Sequence, residues 1–592
     1  MMARGGHGMR RLAALGFGLV AAGACSDGST GPDAPEGEAN VAFGAAEVTL
    51  GAARTGQIEL RNSGTAAAGP IELRAGQVRD AAGQPTLAAR IDLSQEEVAT
   101  LNAGASRTIG LTVSETGAPP PGAYGADVTA HLAGEQVALA RVSFSVPVPP
   151  AEGGTVSLEG AAASMRQGDV VAFAAAAVDS AGAAISDPLL AWRVEPAGAG
   201  FAAADGRIVA YAPGQIRVVV SYGSAADTAV VQVAARGLSG AFTQLGAGAV
   251  PERFTSDLWA HGSHAYTGTW SQRIVAGDTA VGNTLVAWNI ASPTAPQRTD
   301  SVRLDARVVN DVKVSSDGAL AVATHEVSSD ARNGVTVLDL SSPAHPAVVG
   351  RFTDAVLSPG VHNVWIDGRT LYVVVDGASP ASGLYIVDIS DPANPEVLSH
   401  FYAGSSFLHD VLVRDGLAFL SHWNAGLVIL DVGNGIAGGS AAAPVEVSRI
   451  LLGGQTHNAW YWPARGYVFV GEEDFVAPGI MHVVDVNDLL APVEVATFRV
   501  PGDTPHNFWL DESAAVLYLA WYANGLRALD VSGALLGELE KQGREIASLR
   551  YGTADACPGS TSGTCTWAPQ LHAGNVWVSD MNRGLIALRP DF

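Results

Sequence analysis

Fourteen histidines are spread thinly over 592 residues, yet several stand at matching places in a recurring segment. His362-Asn363-Val364, His409-Asp410-Val411, His457-Asn458-Ala459 and His506-Asn507-Phe508 each open a short apolar run. Asp257-Leu258-Trp259 and Asn310-Asp311-Val312 open corresponding runs without a histidine. Neutral imidazoles bind zinc, copper or iron, and carboxylates beside them complete or orient such sites. The chemistry to look for is binding of a transition metal or of a polar ligand.

What the histidines can do depends on what positions them. Asp317-Gly318, Asp367-Gly368 and Asp415-Gly416 follow three of the runs, and Asp-Gly pairs close tight β-hairpins. Hairpin arithmetic about these turns sets His362 opposite Asp376 and His409 opposite His422. The same register pairs Asn310 with His325, His457 with Glu472 and His506 with Trp521. One rim then gathers His362, Asp376, His409, His422, His457, Glu472, His506 and Trp521 as a candidate ligand site. Within it His362, His409, His422 and His457 are the candidate metal ligands; Glu473, Asp474, Asp580, Trp270 and Trp423 come from the same side. A second reading stays open, in which polar residues repeated in each unit tie neighbouring units together by hydrogen bonds and bind nothing. No nucleophile elbow, phosphate loop, HExxH or EF-hand loop is present, so no catalytic residue is assigned.

Downstream of each hairpin stands a third strand, LYIVDISDPANP at Leu384 to Pro395 in its fullest form. It recurs as LVAWNIASPTAP, VTVLDLSSPAHP, LVILDVGNG, MHVVDVNDLLAP and LRALDVSG, aligned on Asn289, Asp339, Asp388, Asp431, Asp485 and Asp530. These aspartates read as turn caps that accept backbone N–H groups. The spacing runs from 43 residues (Asp388 to Asp431) to 54 (Asp431 to Asp485), a period that suits four-stranded propeller blades. A seventh, altered unit begins at Cys565 and ends at Phe592 without a fourth strand, while Gly240 to Gly248 is written like the fourth strands of the others. Seven blades are expected, the ring closed by the early strand.

Over about residues 238–592 these motifs resemble the LVIVD-repeat β-propellers, and more closely the bacterial surface proteins known as choice-of-anchor B. The resemblance implies a fold and an address; it does not imply a ligand, because propellers host unrelated activities. The whole chain is expected to be all-β, with two sandwiches ahead of the propeller. Residues 41–148 alternate short apolar strands with turn clusters in a β-sandwich pattern. Residues 151–236, with Trp192 at their centre, resemble a bacterial Ig-like domain, and a proline cluster at 147–150 separates the two.

Arg4, Arg10 and Arg11 precede an apolar run, Leu12 to Ala22, too short to span a bilayer. Ala22-Gly23-Ala24-Cys25 follows and resembles a bacterial lipobox, with Ala22 where leucine is usual. Residues 1–25 are thus expected to be a lipoprotein signal with Cys25 lipidated, and 26–40 a flexible tether. Ser26 after the cysteine resembles lipoproteins sent to the outer membrane, which places the protein in the cell envelope or at the cell surface. Cys557 and Cys565 share one Gly/Ser/Thr-rich insert and read as a disulfide.

A formal net charge of −24 with scattered basic residues repels phosphate backbones, so nucleic acid is not an expected partner. Two functions remain. The first is a membrane-tethered binding, adhesion or scaffold module that meets a protein, glycan or small ligand through aromatics such as Trp423, Trp460, Trp462 and Tyr522. The second is a metal-dependent hydrolase or oxidase built on the histidine rim.

Overall fold

The computed structural model describes residues 38–592 except 52–53, 116–118, 121, 147–153, 161, 186–187, 276, 376–380, 405–406, 553–556 and 560–562. Cys25, the signal-like segment, most of the tether and Asp376 lie outside the described residues.

The described residues are all-β, with three short 3-10 turns and no α-helix. From Phe254 onwards the chain repeats a four-stranded antiparallel meander, joined in the fifth repeat by an additional strand, Gly537–Glu538, that pairs parallel with Val493–Phe498. The third strands explain the regularity. Gly383–Asp388, Gly334–Asp339 and Leu427–Asp431 are buried almost throughout, as β-branched runs covered on both faces must be. Each ends where its acid accepts from the backbone N–H two residues on: Ser341 to Asp339 at 2.6 Å, Ser390 to Asp388 at 2.7 Å, Asn487 to Asp485 at 2.9 Å. The expected turn caps are therefore present.

Apolar clusters fill the spaces between successive sheets. One joins Val335 and Val337 to Val364, Val373 and Tyr385; another joins Phe469 and Met481 to Phe508, Leu519 and Trp521. Innermost strands touch in chain order, and the innermost strand of the last unit, Thr566–His572, touches that of the first, Phe254–His261. The sheets thus close on themselves. Ala241–Gly248 pairs antiparallel with Gly584–Asp591 and supplies the outermost strand of the last unit.

The innermost strands are not regular. Register slips occur between Thr255 and Leu258, Val361 and Asn363, Thr456 and Asn458, and Thr566 and Ala568. A bulge of this kind inserts one residue and re-aims its side chain. Here the inserted residues include His362, His457 and Trp567, which turn towards the axis of the ring.

Ahead of the ring, residues 41–146 form two sheets that share one core, in which Ile58, Leu60 and Ile109 of one face Ile71, Val128 and Val142 of the other. Residues 155–234 form three small sheets, with Trp192 packed beside Val218 and Val194. This second module is seated on the sixth unit rather than held apart from it. Arg236 donates from Nε to Asp530 at 2.7 Å and from Nη1 to Asp169 at 3.0 Å. Arg544, fully buried, donates to the carbonyl oxygens of Gly168 at 2.5 Å, Asp530 at 3.1 Å and Ser532 at 3.0 Å.

Candidate functional site

The residues at the openings of the innermost strands form three layers down the axis of the ring. The uppermost contains Asn310, His362, His409, His457, His506 and Trp567. Their rings follow one another: His362 to His409 at 4.4 Å between centroids, His409 to His457 at 4.3 Å, His457 to His506 at 4.3 Å and His506 to Trp567 at 4.1 Å. One residue further along each strand, the second layer holds Asp257, Asp311, Asn363, Asp410, Asn458 and Asn507 around the Lys313 ammonium. Lys313 Nζ lies 2.8 Å from Asp257 and also bonds Asp311, while Asp311 accepts from Val364 N–H at 3.0 Å. Two residues beyond, Trp259, Trp365, Trp460 and Trp509 pack edge-on or tilted at 4.9 to 5.9 Å and fill the far end.

The top layer is the floor of a cavity of about 380 Å³. Its walls are Trp270, Phe475, Tyr522, Trp567, Met581 and the Cys557-Pro558 corner, and Glu473 reaches in from one side. Cys557 and Cys565 are disulfide-bonded, which ties that corner to the start of the last innermost strand.

Two aromatics that pack on the floor, Trp423 and the wall residue Tyr522, arrive by a repeated turn. In His422-Trp423-Asn424-Ala425-Gly426 and Trp521-Tyr522-Ala523-Asn524-Gly525, the aromatic second residue has φ of +36° in both copies. A bulky residue held in that left-handed region carries strain of about 1–3 kcal/mol, tolerated where surroundings over-determine it. Gly426 and Gly525 permit the turn, since a Cβ would fall 2.1 Å from the Ile450 carbonyl oxygen and 2.0 Å from that of Leu549. Trp423 stacks on His409 at 5.0 Å, and Tyr522 meets His506 at 4.9 Å while its hydroxyl donates to Glu473.

Electrostatics keep the floor neutral. Burial, reinforced by neighbouring imidazoles, pushes His457 and His506 down to about 3 and holds His409 well below its ordinary value. The rings differ in what they have left to offer. His362 is used up, its Nδ1 2.9 Å from Glu326 and its Nε2 3.2 Å from Asn310 Nδ2. His506 donates from Nδ1 to the Trp567 carbonyl oxygen at 2.7 Å, which leaves Nε2 as an acceptor. His409 and His457 have buried Nδ1 atoms without a partner, and their Nε2 atoms lie 4.0 and 3.6 Å from Glu473 Oε2.

Of the residues grouped by hairpin arithmetic, the cavity brings together His362, His409, His457 and His506. Ser421, not His422, lies opposite Asp410 and accepts from His409 N–H at 2.9 Å; His422 is held below its ordinary value by burial and does not line the cavity. Trp521 is fully buried in the core between the fifth and sixth units, edge-on to Phe498 at 5.7 Å. Glu472 lies opposite Thr456, not His457, and sits 3.0 Å from His482 Nε2. The physical reason is shared. The inner-strand bulge and the left-handed turn shift the pleat by one residue, so Glu473, Trp423 and Tyr522 face the open end of the ring while Glu472, His422 and Trp521 face into their sheets. Trp462 belongs to the core, and Trp460 belongs to the tryptophan layer at the opposite end.

The profile of the LVIVD repeat matches residues 329–354, 360–402 and 408–447, the second to fourth units. The chain therefore carries LVIVD repeats. No curated protein matches it. Among solved structures, the computationally designed protein Ika8 is similar at 9% identity and a TM-score of 0.39, covering 60% of this chain and 99% of its own. The β-propeller domain of Cps50 (Swd1) from Myceliophteria thermophila is similar at 9% identity and a TM-score of 0.41, covering 59% of this chain and all of its own. At that level of likeness neither bears on function.

Proposed function

We propose that this chain is a cell-envelope lipoprotein that binds a small ligand in the cup at the open end of a seven-bladed β-propeller. Cys25 is the lipid anchor, residues 26–40 the tether and the two Ig-like modules a stalk. The observation that carries the reading is the cup itself. Its aromatic walls surround a floor of neutral imidazoles, and Glu473 reaches in from one side. Apolar walls with a few convergent polar groups are what small-molecule sites present. The lip adds Phe475 and Val476, 66% and 96% exposed, which offer apolar surface next to the opening.

A cup of this size accepts a ligand of about mono- to disaccharide dimensions, or a comparable aromatic compound. Flat aromatic walls suit the apolar face of a sugar ring or an arene, and His506 Nε2 suits a hydroxyl donor. The test is calorimetric titration of a panel of such compounds against the wild type and the Trp270→Ala and Phe475→Ala variants. At least one compound is expected to bind the wild type and to lose tenfold or more in affinity in a variant. A panel that includes envelope glycans and binds nowhere, or binds equally to both variants, counts against the cup. Cys25→Ser, in parallel, is expected to move the protein from membranes into the soluble fraction; unchanged fractionation removes the anchor from the proposal.

A further inference from the structure

Resting on the reading of the cup as a binding site, we propose that it also holds one divalent first-row transition ion on His409, His457 and Glu473. These three residues are the only group of metal-type donors among the described residues whose ligating atoms all lie within 4.8 Å of one another. Two donors on a tetrahedral zinc ion stand about 3.4 Å apart, given metal–ligand distances near 2.1 Å. The Nε2-to-Oε2 separations of 3.6 and 4.0 Å are therefore closed by a few tenths of an ångström at each side chain.

The chemistry of the set is complementary as well as its spacing. His409 and His457 are 93% and 97% buried and line the cavity, and the nitrogen that each turns to Glu473 is Nε2; Nδ1 of each ring has no partner, so no second hydrogen bond holds either ring in another role. Glu473 faces them as the carboxylate, and the Tyr522 hydroxyl bonds its other oxygen, the kind of outer contact that orients a ligating carboxylate. Two imidazoles and one carboxylate favour zinc, iron, cobalt, nickel or copper over magnesium or calcium, which take oxygen cages. The cavity above leaves the remaining coordination positions open to water or to the ligand, as in a site that works on what it binds rather than one that only holds the fold together.

The rings beside the set mark its limits. His362 has both nitrogens engaged with Glu326 and Asn310, and His422 faces away, so neither completes the site. His506 is the nearest further donor, with Nδ1 on a backbone carbonyl and Nε2 unspent.

The experiment uses the purified full chain without a histidine tag, stripped with chelator and titrated with Co²⁺ while its d–d absorption is followed; Zn²⁺ competition then gives affinity. One cobalt per chain is expected, with an absorption stronger than that of the aqueous ion. Glu473→Gln and His457→Gln should each weaken binding at least tenfold, whereas His422→Gln should leave it unchanged. Melting curves verify that each variant is folded, and Glu473→Gln at the cavity wall supplies the comparison if His457→Gln is not. Wild-type protein that binds neither Co²⁺ nor Zn²⁺ at one equivalent, or binding that survives both substitutions, overturns the metal site. Organic-ligand binding in a metal-silent wild type overturns only the metal; one cobalt per chain in a protein that binds no member of the ligand panel supports the metal and overturns only the cup's ligand.

Discussion

Two places in this molecule bury several polar groups close together, and they do it in opposite ways. At the junction of the second module and the sixth unit, Arg236, Arg544, Asp530 and Gln542 are all buried, and their side-chain donors and acceptors meet partners. In the cup, His409 and His457 are buried as deeply, yet each keeps an unpartnered nitrogen. Burial of a polar group is costly unless it is hydrogen-bonded. A fully connected network therefore reads as structure, whereas an incomplete one at the floor of a cavity is what the proposed binding site rests on. Between these two lies the Lys313 layer, directly under the histidines, where an ammonium satisfies two buried aspartates from inside the chain.

If the comparison is right, the largest loss of stability comes from the junction. Arg544→Met keeps the apolar stem but abandons the carbonyl oxygens of Gly168, Asp530, Ser532 and Ala534. Breaking one side of a buried network typically costs about 3–5 kcal/mol, so this variant is expected to melt well below the wild type. A melt unchanged within about 0.5 kcal/mol would show that water replaces the guanidinium and that the junction is loose.

An intermediate effect is expected at His482, a charged group flanked by two carboxylates within a single sheet. Burial alone would lower its pKa, but Glu472 at 3.0 Å and Glu494 at 2.6 Å outweigh that and raise it to about 9. The folded protein therefore holds a proton that the unfolded chain releases near 6.5. Its contribution, of order 2 kcal/mol, is fully present below pH 6.5 and disappears as the pH rises through about 9. Thermal stability should fall between pH 7 and pH 9.5 in the wild type, and His482→Gln should be less stable at pH 6.5 and much flatter across that range. Parallel pH profiles for the two proteins would remove His482 from the account.

How much of this was legible in the sequence follows from which periodicity carried the information. The third strands repeat their aspartates and β-branched runs, so the repeating units and the closing strand at 241–248 could be read from pattern. The identity of the floor was legible too, because the histidines open their strands in a fixed register. What faces them was misread by one residue at each place where an odd insertion intervenes. Hairpin arithmetic sets Glu472, Trp521 and His422 in the site and names Glu473 and Trp423 only as coming from the same side; Glu473 and Tyr522 line the cavity, and Trp423 is the residue stacked on His409. Strand patterning has a period of two, so a single bulged residue inverts every assignment beyond it, and nothing in His362 or His457 announces that the chain bulges there. The x-aromatic-x-x-Gly turns were the available signal: a glycine four residues after His422 and after Trp521 marks a left-handed turn, not a continuing strand. The junction was not legible at all, since Arg236 and Arg544 are 308 residues apart and no local pattern links them.

The smallest effect on stability, and the sharpest test of the comparison, belongs to the cup. His409→Ala removes a buried ring, which at the junction would orphan its partners; here Nδ1 has none, Nε2 stands 4.0 Å from Glu473 Oε2, and the space left is continuous with the cavity. The transfer term for the lost ring is partly offset because an unsatisfied nitrogen is removed with it, so the expected cost is below about 1 kcal/mol. Trp423 loses its stacking partner at 5.0 Å, so its fluorescence should shift even where the melt does not. A loss of 1–3 kcal/mol would instead mean that the histidines tie neighbouring units together, as polar residues of a repeat can, and that the difference between cup and junction is one of degree. Chemical denaturation of His409→Ala beside Arg544→Met, at one pH and one ionic strength, places both regions on the same scale.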